Sequence, residues 1–168
     1  MFKFALNKLV RDRILELVDK SVKCEASYLS GIDRLNALKV KLYEELDELQ
    51  SADDYESLVI EAADMLEVIL NLTTYPVPTD NEGETLRSTV DNFLHSDFDP
   101  ICAGKLLYAI LETVSPISLE EIEVARVNKC NKAGSFTKGL FIHYMEIERD
   151  DPLYNRFISN PSKYKLVL

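Results

Sequence analysis

Glu44, Glu45, Asp47 and Glu48 fall within five consecutive positions, and Glu61 and Asp64 follow in the segment EAAD. From Leu42 to Leu86 there is no Lys or Arg, yet that stretch holds 13 of the 29 acidic residues. Elsewhere 16 acids face all 19 basic residues, so the net charge of −10 is a local property. Carboxylates brought together without cations repel one another, and some must take up protons. A divalent ion removes that difficulty, and an all-oxygen ligand set suits Mg²⁺ or Mn²⁺. Magnesium held by carboxylates commonly serves phosphate chemistry, where it neutralises oxygens and positions water.

Other chemistries lack their residues. A di-iron bundle needs Glu-x-x-His on two helices, and neither His95 nor His143 sits in such a motif. No EF-hand loop, P-loop or dinucleotide-binding glycine pattern is present. Cys24, Cys102 and Cys130 are odd in number and widely spaced. They fit a reducing, cytoplasmic setting and neither a disulfide framework nor a zinc site. The acidic stretch argues against nucleic acid as a partner. No apolar run has the length of a membrane span, and the charged N-terminus is unlike a signal peptide.

The elements that must position the acids come next. Leu35, Leu38, Leu42, Leu46 and Leu49 make one stripe of a helix over 33–50. Leu58, Ala62, Met65, Ile69 and Leu72 make the stripe of a helix over 55–73. At about 100° per residue, Glu45 and Glu61 lie near 300°, and Glu48 and Asp64 near 240°, from the centre of their own stripes. Packing the two stripes together therefore carries two acid pairs toward one shared site.

Helical spacing also predicts helices over 8–22, 100–114 and 118–132, the last opened by the capping box SLEE. TDNE (79–82) predicts a capped helix over about 82–95. Residues 132–140 read as a loop, LFIHYMEI admits a short strand, and the C-terminal stretch reads as irregular. With 168 residues and 5 glycines, the expectation is one all-α domain, a helical bundle.

Glu44-Glu45-x-x-Glu48, a gap, then Glu61-x-x-Asp64 resembles the E-E-x-x-E…E-x-x-D pattern of the MazG-like all-α nucleotide pyrophosphohydrolases. NKLVRDRI (7–14) resembles the opening of their phosphoribosyl-ATP pyrophosphohydrolase-like subgroup. KCNKAGSFTKGL (129–140) resembles that subgroup's K-x-x-x-R-G-G-F segment, with Ala133 and Ser135 at two of its positions. The resemblance implies a single domain over 1–168, with a helical insertion at about 74–116 and an irregular extension at about 143–168. It implies Mg²⁺-dependent hydrolysis of a nucleoside triphosphate between the α and β phosphates, and assembly as a homodimer or homotetramer.

Carried over by position, Glu45, Glu48, Glu61 and Asp64 match the metal ligands, and Glu44 matches the first acid, a ligand or water-orienting residue. Lys8, Arg11, Lys129 and Lys132 are the cations available to a triphosphate. Two other readings stay open. One is phosphoribosyl-ATP hydrolysis; the other is a catalytically weak helical module that binds nucleotide or a partner protein.

Overall fold

Alternation governs the N-terminus. In FKFALNKL, Phe2, Lys3 and Phe4 alternate apolar and polar, the period of a strand. Phe2–Leu9 forms β1. Its partner is β3, Leu140–Ile147, and the two pair antiparallel, with Phe4 opposite Met145. The register shifts between Ala5 and Lys8, at a bulge where Asn7 has φ +48°. Lys23–Tyr28 forms β2 and Lys165–Val167 forms β4. The sheet has the order β2-β3-β1-β4 with antiparallel neighbours. Two short helices complete this part: α1, Ile14–Leu17, and α7, Pro152–Ile158.

This is a computed structural model, and it describes residues 1–167. At 53 % helix and 15 % strand, the chain is mixed α/β, which overturns the all-α expectation. The helix expected over 8–22 is replaced by the end of β1, a single helical turn and a turn leading into β2. The C-terminal stretch expected to be irregular holds the rest of β3, then α7 and β4. The cause is tertiary: strand pairing between distant segments satisfies backbone groups that a local helix would otherwise have satisfied.

The chain divides into two compact units, Met1–Arg34 with Ala133–Leu168, and Leu35–Lys132. In the first, Phe4, Val22, Ile142, Met145, Ile147, Phe157 and Tyr164 make the core. The NKLVRD segment also meets the 132–140 loop here. Asp12 N–H donates to Ser135 O at 2.8 Å, and Arg13 N–H to Ala133 O at 2.9 Å. The Asp12 carboxylate accepts from Thr137 N, Thr137 Oγ1 and Lys138 N at 3.1, 2.7 and 2.9 Å. Gly139 has φ +68°, and a Cβ there would lie 2.3 Å from Leu29 O, so the loop needs a glycine.

The second unit is helical. Gly31–Ser51 is α2, which enters it from the first unit. Tyr55–Leu72 is α3, capped by Asp54, whose side chain accepts from Ser57 N at 2.8 Å. Leu86–His95 is α4 and Pro100–Thr113 is α5. Leu119–Ala133 is α6, which leads back to the first unit. It opens on the expected capping box: Ser118 N donates to Glu121 Oε2 at 2.9 Å, and Glu121 N to Ser118 Oγ at 3.3 Å.

The start of α4 differs from expectation. Asp80 and Asn81 accept from Glu82 N and Gly83 N, so TDNE folds into side-chain-bonded turns and the cap passes to Thr85. The helices α4 and α5 occupy the later part of the 74–116 stretch, after a non-helical segment over 74–85, and bury Val90, Phe93, Leu106, Leu107 and Ile110. Polar contacts fasten α4 to α2: Tyr43 Oη to Asp91 at 2.5 Å and Arg87 to Asp47 at 2.5 Å. Tyr43 and Asp47 lie roughly 100–140° around α2 from Leu42, the flank turned away from Glu45 and Glu48.

Candidate metal centre

From Ala62 to Ile69 every residue of α3 is buried. A helix buried all round normally carries apolar residues on every face. Here two of the eight are charged, Asp64 and Glu67. Burying a carboxylate is costly unless it is paired, hydrogen-bonded or bound to a metal. On α2, Glu45 is in the same situation, with its side chain 3 % exposed.

The structure brings three of the four expected ligands together. One carboxylate oxygen each from Glu45, Glu61 and Asp64 lies within 4.8 Å of the others. Glu45 Oε2 and Glu61 Oε2 are buried and have no hydrogen-bond partner. Buried polar atoms are otherwise nearly always bonded. Glu48 does not belong to the converging trio. Its charge still reaches both Glu45 and Glu61 and raises the pKa of each.

Glu61 shows the strain of the cluster most clearly. Burial, then the charges of Glu45, Glu48 and Asp64, push its pKa up to about 7, against a smaller opposing pull from Lys129. Glu45 is also raised, chiefly by burial, although Lys41 works the other way.

Two lysines sit at the cluster. Lys41 Nζ lies 2.6 Å from Glu45 Oε1 and 3.1 Å from Glu44 Oε2. Burial works against its charge, but Glu45 and Glu44 outweigh that and hold its pKa above the ordinary lysine value. Lys129, on α6, donates to Asp64 Oδ2. Lys41 thus answers Glu45 and Glu44, and Lys129 answers Asp64. A divalent cation fits this donor set: oxygen ligands from three side chains, two of them with unanswered buried oxygens.

One turn along the same pair of helices lies a second ionic contact. Arg126 Nη1 donates to Glu67 Oε2 at 2.7 Å, and Arg126 Nε to Glu123 Oε2 at 2.8 Å. Thus α3 offers acids at 64 and 67, and α6 meets them with cations at 129 and 126, as antiparallel neighbours do.

The remaining expected cations have other surroundings. Lys132 is exposed in the last turn of α6. Lys8 and Arg11 belong to the first unit. Lys8 Nζ stands 4.9 Å from the centre of the Tyr164 ring. Arg11 is 9 % exposed, donates to Gly134 O at 2.8 Å and lies over the Phe136 ring. Phe136 is buried, as an anchor of its loop.

Sequence reasoning passed over Lys41, Glu67 and Arg126. Lys41 stands one residue before the stretch that lacks Lys and Arg, and its i+3 and i+4 spacing to Glu44 and Glu45 was a usable signal. Glu67 and Arg126 carried no such signal, because 59 positions separate them.

No known family model, curated protein or solved structure matches this chain.

Proposed function

We propose that this chain is a Mg²⁺-dependent nucleoside triphosphate pyrophosphohydrolase, releasing a nucleoside monophosphate and pyrophosphate. The observation that carries the reading is the pair of buried, unanswered oxygens, Glu45 Oε2 and Glu61 Oε2, inside the converging trio of Glu45, Glu61 and Asp64. The acid spacing and the NKLVRD and KAGSF segments supply the nucleotide part.

Glu45, Glu61 and Asp64 hold the metal, with Glu48 beside them. When bound, Mg²⁺ or Mn²⁺ neutralises phosphate oxygens and makes a water acidic enough to attack. Glu44, outside the converging trio and tethered to Lys41 at 3.1 Å, orients that water, and Glu44 or Glu48 accepts its proton. Lys129 and Lys132, both on α6, are the cations offered to the triphosphate charge. Arg11 and Asp12 act by holding the 132–140 loop. The protein works as a homodimer or homotetramer in a reducing, cytoplasmic setting. A membrane role is not part of the reading: among the described residues no helix is long and apolar enough to cross one.

The test is pyrophosphate release across a panel of NTPs and dNTPs with Mg²⁺ or Mn²⁺, repeated for Glu61→Ala and Asp64→Ala. Turnover by the wild type and its loss in both variants is the expected result. Nucleotide-dependent thermal stabilisation without turnover replaces the enzyme by a binding module. Absence of any metal effect on folding, binding or turnover ends the proposal.

A further inference from the structure

A helix of 15 residues ordinarily holds its place by an apolar stripe. Of the described residues of α6, Ile122 alone is fully buried. Two of its apolar side chains, Val124 and Val127, are 56 % and 43 % exposed. What faces α3 is polar: Arg126 against Glu67, Lys129 against Asp64, and Glu121 accepting from Tyr55 Oη. The attachment of α6 to α3 therefore rests on polar contacts, two of them ion pairs, and one of those pairs uses a carboxylate of the metal cluster.

The two pairs differ in burial. At the Glu67–Arg126 pair the side chains are 4 % and 19 % exposed, against 12 % and 34 % at the Asp64–Lys129 pair. Arg126 is also braced by Glu123 on its own helix at 2.8 Å. A planar guanidinium held by two carboxylates is locked in place, whereas a lysine ammonium on a flexible stem is easily re-aimed. Lys129 cannot serve both Asp64 and a phosphate at full strength.

We propose that Arg126 is a positioning residue. Through Glu67 it keeps α6 docked on α3 when Lys129 leaves Asp64, so that Lys129 meets the substrate's phosphate from a fixed helix. In this arrangement Asp64 exchanges one cation for another, while Glu67 keeps its own throughout. The catalytic part of the proposal rests on the pyrophosphohydrolase reading; the docking part does not.

The experiment compares wild type, Arg126→Met and the double variant Glu67→Met/Arg126→Met. Hydrogen–deuterium exchange of amides 122–132 is read with and without Mn²⁺, Mn²⁺ affinity is read by calorimetry, and turnover is read as separate KM and kcat. In Arg126→Met, exchange in α6 rises at least about tenfold when Mn²⁺ is added. Its Mn²⁺ affinity stays within about threefold of wild type, and kcat/KM falls by roughly 10- to 100-fold.

The double variant also removes the buried carboxylate whose guanidinium partner Arg126→Met takes away, and so remains foldable if the single variant is not. It restores the protection of α6 and much of kcat/KM, because an apolar contact docks the helix as well. Unchanged α6 exchange in Arg126→Met with Mn²⁺ overturns the proposal. A double variant that is protected in α6 yet as inactive as the single one also overturns it, since Arg126 would then touch substrate itself. If wild type binds Mn²⁺ but turns over no nucleotide, the pyrophosphohydrolase reading fails alone, and the exchange arm still decides the role of Arg126.

Discussion

Replacing Glu61 by glutamine should make the metal-free protein more stable at about pH 8 and leave it nearly unaffected at about pH 4. The pKa of Glu61 stands at about 7 in the fold against an ordinary 4.5. A folded-state value above the unfolded one means that the fold prefers the protonated carboxyl. Its contribution is fully present below the unfolded value and is lost as the pH rises through about 7. The interval corresponds to about 3 kcal/mol at most. Glu61 is half-buried, so solvent screening brings this to about 1–2 kcal/mol. Glutamine never ionises and escapes the loss. For a chain of this length, that difference is about 3–6 °C in Tm.

The assay is thermal unfolding by circular dichroism in chelator, across the pH range, for wild type and Glu61→Gln. Adding Mg²⁺ or Mn²⁺ at about pH 8 should reverse the order. At a hundred times its Kd, the ion stabilises wild type by about 2.7 kcal/mol, and the variant, short of one ligand, by much less. A Glu61→Gln protein less stable than wild type in chelator at about pH 8 refutes the reasoning. So does a difference that ignores pH, because repulsion among ionised carboxylates would not then be its source.

Lys41→Met leaves Glu45 buried and unpaired, and should cost about 3–5 kcal/mol in urea unfolding at neutral pH, with partial rescue by Glu45→Gln in the same chain. Asp12→Ala removes three acceptor bonds to residues 137 and 138; about 2–3 kcal/mol of stability should be lost, with faster proteolysis of the 132–140 loop. Gly139→Ala meets both a positive φ and a 2.3 Å approach to Leu29 O. It should be among the most destabilising single changes, at more than about 3 kcal/mol, read from the urea midpoint.

The helices of the second unit were legible because their causes are local. Leucine spacing marks α2, apolar spacing marks α3, and SLEE marks the start of α6. A helix satisfies its backbone within four residues, so the pattern that builds it lies inside the segment itself. For the same reason, the matched angles of Glu45 with Glu61 and of Glu48 with Asp64 could be worked out before any packing was known. The convergence of three of those four acids agrees with that geometry.

The sheet was not legible in the same way. Phe2 pairs with Ile147, and Lys3 with both Glu146 and Val167. No window of a dozen residues contains both partners, and apolar spacings such as Leu9, Val10, Ile14 and Leu15 read as helix when the distant strand is out of view.

By itself, then, the sequence determined which helices form in the second unit, that SLEE opens α6, and which acids share a face. Tertiary structure alone decided that 8–22 is not one continuous helix, that Arg11 faces Gly134 O, and that Lys129 meets Asp64 across 65 positions. The physical reason is range: helix and cap bonds close within a turn, while strand ladders and buried ion pairs exist only once remote segments have been packed together.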